Sequence, residues 1–246
     1  MCTVTLIARQ NGYALGMNRD EQRSRIEALP PSSHTVGSRS AVYPSEPGGG
    51  TWIGVNDLGI TFALINWYAI RESVANGAVT RGRVVASTLE SASPELVGQR
   101  LRSLPLSRVN PFRLIGVFPG AHTVIEWRWN RRRMERIDHG WRTNAWFSSG
   151  FDEAGVQITR GKTFKKALRQ KSSGSIEWLR RLHRSHQPAR GAHSICMHRT
   201  DAATISYTEI VARKKRVTMT HCPECPCARS CADQPRKSEL TLRVCE

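Results

Sequence analysis

The chain has 246 residues, a length that suits one large domain better than two small ones. Hydrophobic residues make up 39% of it, enough for a packed core, and no apolar run approaches the ~20 residues of a membrane-spanning helix. A disordered chain and a helical membrane span are thereby excluded. The net charge is +17, and it is unevenly placed: residues 1–80 are balanced, so the whole excess falls on residues 81–246.

In chain order, Thr3–Arg9 reads as a strand, Gln10-Asn11-Gly12 as a hairpin turn and Tyr13–Asn18 as the return strand. The first run has no basic lead-in and breaks at Arg9, which argues against a secretory signal and for a cytoplasmic chain. The polar, proline-containing stretch Gln22–Gly50 reads as an irregular loop. Thr51–Val55 and Ile60–Asn66 make a second hairpin around Asn56-Asp57-Leu58-Gly59. Arg83–Glu90 has apolar residues at helical spacing, and Ser93-Pro94-Glu95 combines a capping hydroxyl, a first-turn proline and a first-turn acid. Phe112–Phe118 and Thr123–Trp129 form another strand pair, in which Trp127 and Trp129 read as packing residues. Arg160–Gln170 and Ser175–His186 read as helices, and His193–Met197, Thr204–Tyr207 and Arg216–Thr220 as closing strands. Strands and helices in blocks, without βαβ alternation, predict a layered α+β fold. The expected division is a domain over residues 1–221 and a cysteine-rich tail over 222–246.

Cys2 carries the most chemistry. Removal of Met1 would leave its thiol and a free α-amine on one carbon, with reference pKa values of about 8.5 and about 8. The amine can then serve as the base for the nucleophile beside it. The hairpin returns Asn18-Arg19-Asp20-Glu21 close to Cys2. Arg19 would stabilise a thiolate there, and Asp20 would hold the α-ammonium or a substrate amine. Asn66, at another strand end, has an amide N–H to offer an oxyanion.

Six blocks in order carry a resemblance: Met1-Cys2-Thr3, Asn18-Arg19-Asp20-Glu21, Gly49-Gly50-Thr51-Trp52-Ile53-Gly54, Thr80-Arg81-Gly82-Arg83, Asn110-Pro111-Phe112 and Ser194-Ile195-Cys196-Met197-His198-Arg199. They resemble the NRDE family, also called the transport and Golgi organisation protein 2 family. The resemblance implies a fold similar to the N-terminal nucleophile hydrolases, a four-layer αββα sandwich of two antiparallel sheets. It also implies a more distant likeness to the cysteine acylases that cleave penicillin V and conjugated bile salts. Carried over on that likeness, Cys2 is the nucleophile, Asn18 and Asp20 are motif residues and Asn66 is the oxyanion asparagine. The acylase arginine falls at Met17, and Arg19, two positions later, is placed on the other face of the strand. Glu21, Trp52, Ser149 and Arg199 are candidate substrate contacts, and Ser148-Ser149-Gly150 resembles a family block expected to line the pocket.

The expected activity is hydrolysis of a linear amide through a Cys2 acyl-enzyme, with a small molecule as partner and no cofactor. The alternative is a non-catalytic protein of the same fold that holds a lipid-like or haem-like ligand. The basic side chains from Arg160 to Arg184 would suffice for phosphate contacts, or for an anionic membrane surface, but no nucleic-acid motif accompanies them. In the tail, Cys222, Cys225, Cys227 and Cys231 are weak zinc candidates, because Cys-x-x-Cys supplies only half a structural site. Seven cysteines without an export signal are expected as reduced thiols.

Overall fold

The structure, a computed structural model, describes residues 2–228, 231 and 235–243. The opening hairpin is β1 (Cys2–Arg9) and β2 (Gly12–Gln22), turned by Gly12 at φ 118°. The stretch expected as an irregular loop instead holds β3 (Leu29–Val36) and β4 (Arg39–Ser45). Prolines 30 and 31 are tolerated because β3 is an edge strand and has no ladder on its outer side. β5 (Ile53–Asn56) and β6 (Thr61–Asn66) follow as the second predicted hairpin.

Helices α1 (Gly82–Thr88) and α2 (Pro94–Ser103) come next, and the Ser93 hydroxyl accepts from the Leu96 N–H as the sequence predicts. β7 (Phe112–Phe118) and β8 (Thr123–Trp129) have the expected bounds, and β9 (Met134–Asp138) and β10 (Asn144–Ser148) follow. Helix α3 (Glu153–Leu168) starts well before Arg160, because the Asp152 carboxylate caps it at the Gly155 N–H. After α4 (Ile176–His183), the expected strand His193–Met197 is irregular. The chain regains pairing at the His198–Ala203 bridge and runs into β11 (Ala202–Arg213), β12 (Arg216–Cys222) and β13 (Arg236–Thr241). β13 pairs with β12, so the segment after residue 221 extends the domain's own sheet.

All strand ladders are antiparallel and form two sheets, β10-β1-β2-β11-β12-β13 and β3-β4-β5-β6-β7-β8-β9. The side chains that alternate along each strand divide among three apolar layers. Val4, Leu6, Leu15 and Met17 meet Ile53, Val55, Ala63 and Ile65 between the sheets. Phe62, Leu64, Leu114, Trp127 and Trp129 point the other way and pack on Val84, Val85, Val97 and Leu101 of α1 and α2. Ile7, Ala14 and Phe147 pack on Val156, Phe164, Trp178, Leu179 and Leu182 of α3 and α4. Each fully buried side chain of this size contributes roughly 1.5–3 kcal/mol. The result is an α+β sandwich with the layer order helices, sheet, sheet, helices. No described helix is long and apolar enough to cross a membrane.

Candidate active site

Cys2 is the first described residue of β1, between Arg19 on β2 and Ser148 on β10. Residues directly opposite on antiparallel strands share a face, so the Cys2 and Arg19 side chains both enter the space between the sheets. The placement of Arg19 on the far face is therefore corrected. Positions two apart along a strand share a face, and Arg19 keeps the face of Met17. The Arg19 guanidinium lies 4.2 Å over the Trp52 ring and donates to Glu46 Oε1 at 2.6 Å. Glu21 Oε2 is 4.0 Å from it.

These residues line a cleft of about 380 Å³ together with Asn66, Tyr68, Thr80 and Arg81. The Cys2 backbone N–H donates to Ser148 Oγ at 3.1 Å. Burial, joined by the Asp20 negative charge, pushes the Cys2 thiol above its ordinary value against the N-terminal positive charge, a hydrogen bond from the Asp20 backbone and the Arg19 charge. Asn66 Nδ2 donates to the Tyr68 hydroxyl at 2.7 Å. Burial also pushes Arg81 below the usual arginine range, and its Nη1 donates to the Pro111 carbonyl at 3.2 Å.

Asp20 lies one position past Arg19, and its carboxylate faces the helices. Oδ2 accepts from Arg160 Nη1 at 3.1 Å and Oδ1 from Thr204 Oγ1 at 2.6 Å, with both charged side chains fully buried. Arg160 Nη1 also donates to Thr3 Oγ1 at 2.7 Å. Asp20 thus presents its backbone N–H to the thiol and its carboxylate to a buried arginine. Arg160, grouped by sequence with the basic helix surface, is an interior residue.

Three expected contacts lie elsewhere. Asn18 is buried on the helix side of β2, where its amide donates at 2.9 Å to the His183 and Ile195 carbonyls and accepts from His183 Nδ1 at 2.9 Å. It ties α4 to the sheet. The Ser149 hydroxyl accepts the Phe151 and Asp152 N–H groups at the entry to α3, so the serine beside Cys2 is its neighbour Ser148. Arg199 pairs with Asp201 at 2.7 Å and lies over Phe151, outside the cleft. Sequence reading placed Ser148 in a pocket-lining block without a chemical role, and it missed Glu46, Arg160 and Thr204 as site residues. Glu46 reaches the site from the turn after β4, Arg160 from α3 and Thr204 from β11, and the only sequence signal of these three is residue type.

The tail differs from expectation as well. Cys222 and Cys231 form a disulfide with each other, so neither is a reduced thiol or a metal ligand, while Cys225 and Cys227 are free.

Two facing antiparallel sheets under helices on both sides, with the N-terminal strand delivering a cysteine into the cleft between them, define the N-terminal nucleophile hydrolase-like fold. The chain belongs to the Transport and Golgi organisation 2 family, whose model matches residues 1–184. Among solved structures it is similar to a mutant conjugated bile acid hydrolase from Clostridium perfringens, at 10% identity and TM-score 0.55, over 99% of this chain and 97% of that one. A second variant of that hydrolase aligns over the same shares at 10% identity and TM-score 0.56. Penicillin V acylase from Agrobacterium tumefaciens aligns over 89% of this chain and 82% of its own, at 11% identity and TM-score 0.51. At such identities the likeness carries the fold alone. No curated protein matches the chain.

Proposed function

We propose that this chain is a cysteine N-terminal nucleophile hydrolase that cleaves a linear amide bond. The observation that carries the reading is the setting of Cys2: on the first strand, in a cleft, with the Asp20 backbone N–H on its sulfur side and Arg19 directly opposite. Loss of Met1, which lies outside the described residues, would expose the Cys2 α-amine. The Ser148 hydroxyl already accepts from that nitrogen and would orient it.

In the proposed cycle the α-amine takes the thiol proton and the thiolate attacks the substrate carbonyl. One N–H of the Asn66 amide is held by Tyr68, and the second is offered to the oxyanion. The α-ammonium returns its proton to the leaving amine, and water then hydrolyses the thioester to the free acid. The Arg19, Glu21, Glu46 and Arg81 lining favours a polar amide over a lipid-like or haem-like ligand. The similarly folded proteins include a conjugated bile acid hydrolase and a penicillin V acylase, which is consistent with a hydrolytic reading.

The test combines intact mass with turnover of N-acyl amino acids, penicillin V and a conjugated bile acid. A mature chain without Met1 that releases amine, and loses this on Cys2→Ala, is the expected result. Met1 retained on the purified protein, or turnover undiminished in Cys2→Ala, would sink the reading.

A further inference from the structure

Away from the Cys2 cleft, three cysteines and a histidine from separate segments converge. Cys196 and His198 lie on the irregular stretch before β11, and Cys225 and Cys227 on the loop after β12. Cys196 Sγ is 3.2 Å from Cys225 Sγ, which is 3.0 Å from Cys227 Sγ. His198 Nε2 is 3.5 Å from Cys196 Sγ, 3.8 Å from Cys225 Sγ and 3.6 Å from Cys227 Sγ. The remaining separation, Cys196 to Cys227, is within 4.8 Å.

Five of the six separations among these donor atoms are 3.0–3.8 Å and the sixth is within 4.8 Å, close enough for the side chains to close around one ion. With metal–sulfur bonds of about 2.3 Å and metal–nitrogen bonds of about 2.0–2.1 Å, tetrahedral geometry requires S···N edges of about 3.6 Å and S···S edges of about 3.75 Å. The three S···N edges match. The S···S edges of 3.2 and 3.0 Å are shorter, but they remain far from the ~2.05 Å of a disulfide. Neutral thiols make only weak hydrogen bonds to one another, and thiolates at these separations repel. A cation at the centre resolves both problems.

We propose that Cys196, His198, Cys225 and Cys227 form a closed four-coordinate site for a thiophilic divalent ion of the zinc class. Three thiolates with an imidazole is a donor set of structural zinc, and soft sulfur donors disfavour magnesium and calcium. A divalent ion with three thiolates leaves one net negative charge, and Arg190 Nη2 brings a positive group to 3.4 Å from His198 Nδ1. His186 Nε2 lies 3.1 Å from His198 Nε2, and ligation by that nitrogen would replace this contact between the two rings. Cys196 is fully buried, which anchors the site, while Cys227 at the exposed rim gives the ion a way in.

The ion would fasten the loop after β12 to the segment before β11. That segment also supports Asp20: Met197, between the two ligands, donates its N–H to Thr204 Oγ1 at 2.8 Å, and the same hydroxyl donates to Asp20. The proposal does not depend on any reaction at Cys2.

The test uses the full chain, reduced mildly, loaded with zinc and dialysed, with bound metal measured by elemental mass spectrometry. Cobalt substitution reports geometry. One equivalent of zinc, a tetrahedral thiolate–cobalt spectrum, and at least a tenfold loss of affinity in Cys225→Ser and Cys227→Ser are expected, with Cys2→Ser unaffected. Cys227 is exposed, so its substitution leaves the core intact, and circular dichroism checks this. Less than a tenth of an equivalent bound, an octahedral cobalt spectrum, retention of metal by both serine variants, or a disulfide among the three cysteines in the mildly reduced protein would each overturn the proposal.

Discussion

The buried pair Asp20–Arg160 yields the sharpest test of how this site is held. Both side chains are fully buried, at 3.1 Å, and the guanidinium also serves Thr3 Oγ1 and, at 3.5 Å, the Ala192 carbonyl. Arg160→Met keeps much of the side chain's length but leaves the Asp20 carboxylate uncompensated, with Thr204 as its remaining side-chain donor. Removing one partner of such a pair costs about 3–5 kcal/mol. For a domain of this size each kcal/mol lowers Tm by about 2–4 °C, so the variant melts about 6–20 °C early. Asp20→Asn alone strands the arginine and costs a similar amount. The double variant removes both charges, and its loss falls well short of the sum of the two. Urea melts followed by circular dichroism measure all four proteins at pH 7. If the single losses add to within about 0.5 kcal/mol in the double variant, the two residues are energetically independent and the reasoning fails.

Other outcomes follow from the same geometry. Because burial raises the Cys2 thiol, its alkylation should be favoured by alkaline conditions, and Arg19→Leu, which removes an opposing positive charge, shifts the rate–pH profile further alkaline; identical profiles would count against contact between the two. Glu126 is buried between Arg113 at 2.5 Å, Arg128 at 2.8 Å and His139 at 2.7 Å. Burial pushes its carboxyl up, but hydrogen bonds from His139, Arg128 and Arg113 and the Arg113 charge prevail and hold it well below the ordinary range. A depressed carboxyl stabilises fully above its unfolded pKa of about 4.3 and progressively less as pH falls below it. Glu126→Gln is therefore most costly near neutral pH, and its deficit shrinks below about pH 4; melts that show a constant deficit from pH 7 to pH 3 would contradict the assignment.

The sequence by itself determined most of the elements, and it did so where local physics is strong. Ser93-Pro94-Glu95 starts α2 because the cap, the proline and the acid act within one turn. The bounds of β7 and β8 follow from apolar runs about a short turn. The motif blocks from Met1-Cys2-Thr3 to Asn110-Pro111-Phe112 lie within the residues the family model matches, and the resemblance they carry implied the two-sheet sandwich. Cys2 stood out because it follows Met1 and Asn66 because it ends a predicted strand, and both line the cleft.

Side-chain partners across layers were decided by the tertiary structure. A composition count assigns Arg160 to a solvated basic face, and only the packing of α3 on β2 reveals it as the counter-charge of Asp20. Asn18 has the same sequence context as Arg19, yet the pleat sends it to the helices and Arg19 to the cleft. β3 escaped detection because an edge strand has no buried alternation to betray it. The tail cysteines were readable as a cluster, but their sorting into one disulfide and a group around His198 depends on a segment nearly thirty residues earlier in the chain. Periodicity and capping act over a few residues and leave a local trace in the sequence. Contacts between layers join residues 27 positions apart, as in Arg19–Glu46, to 165 apart, as in Asn18–His183, and no local pattern records them.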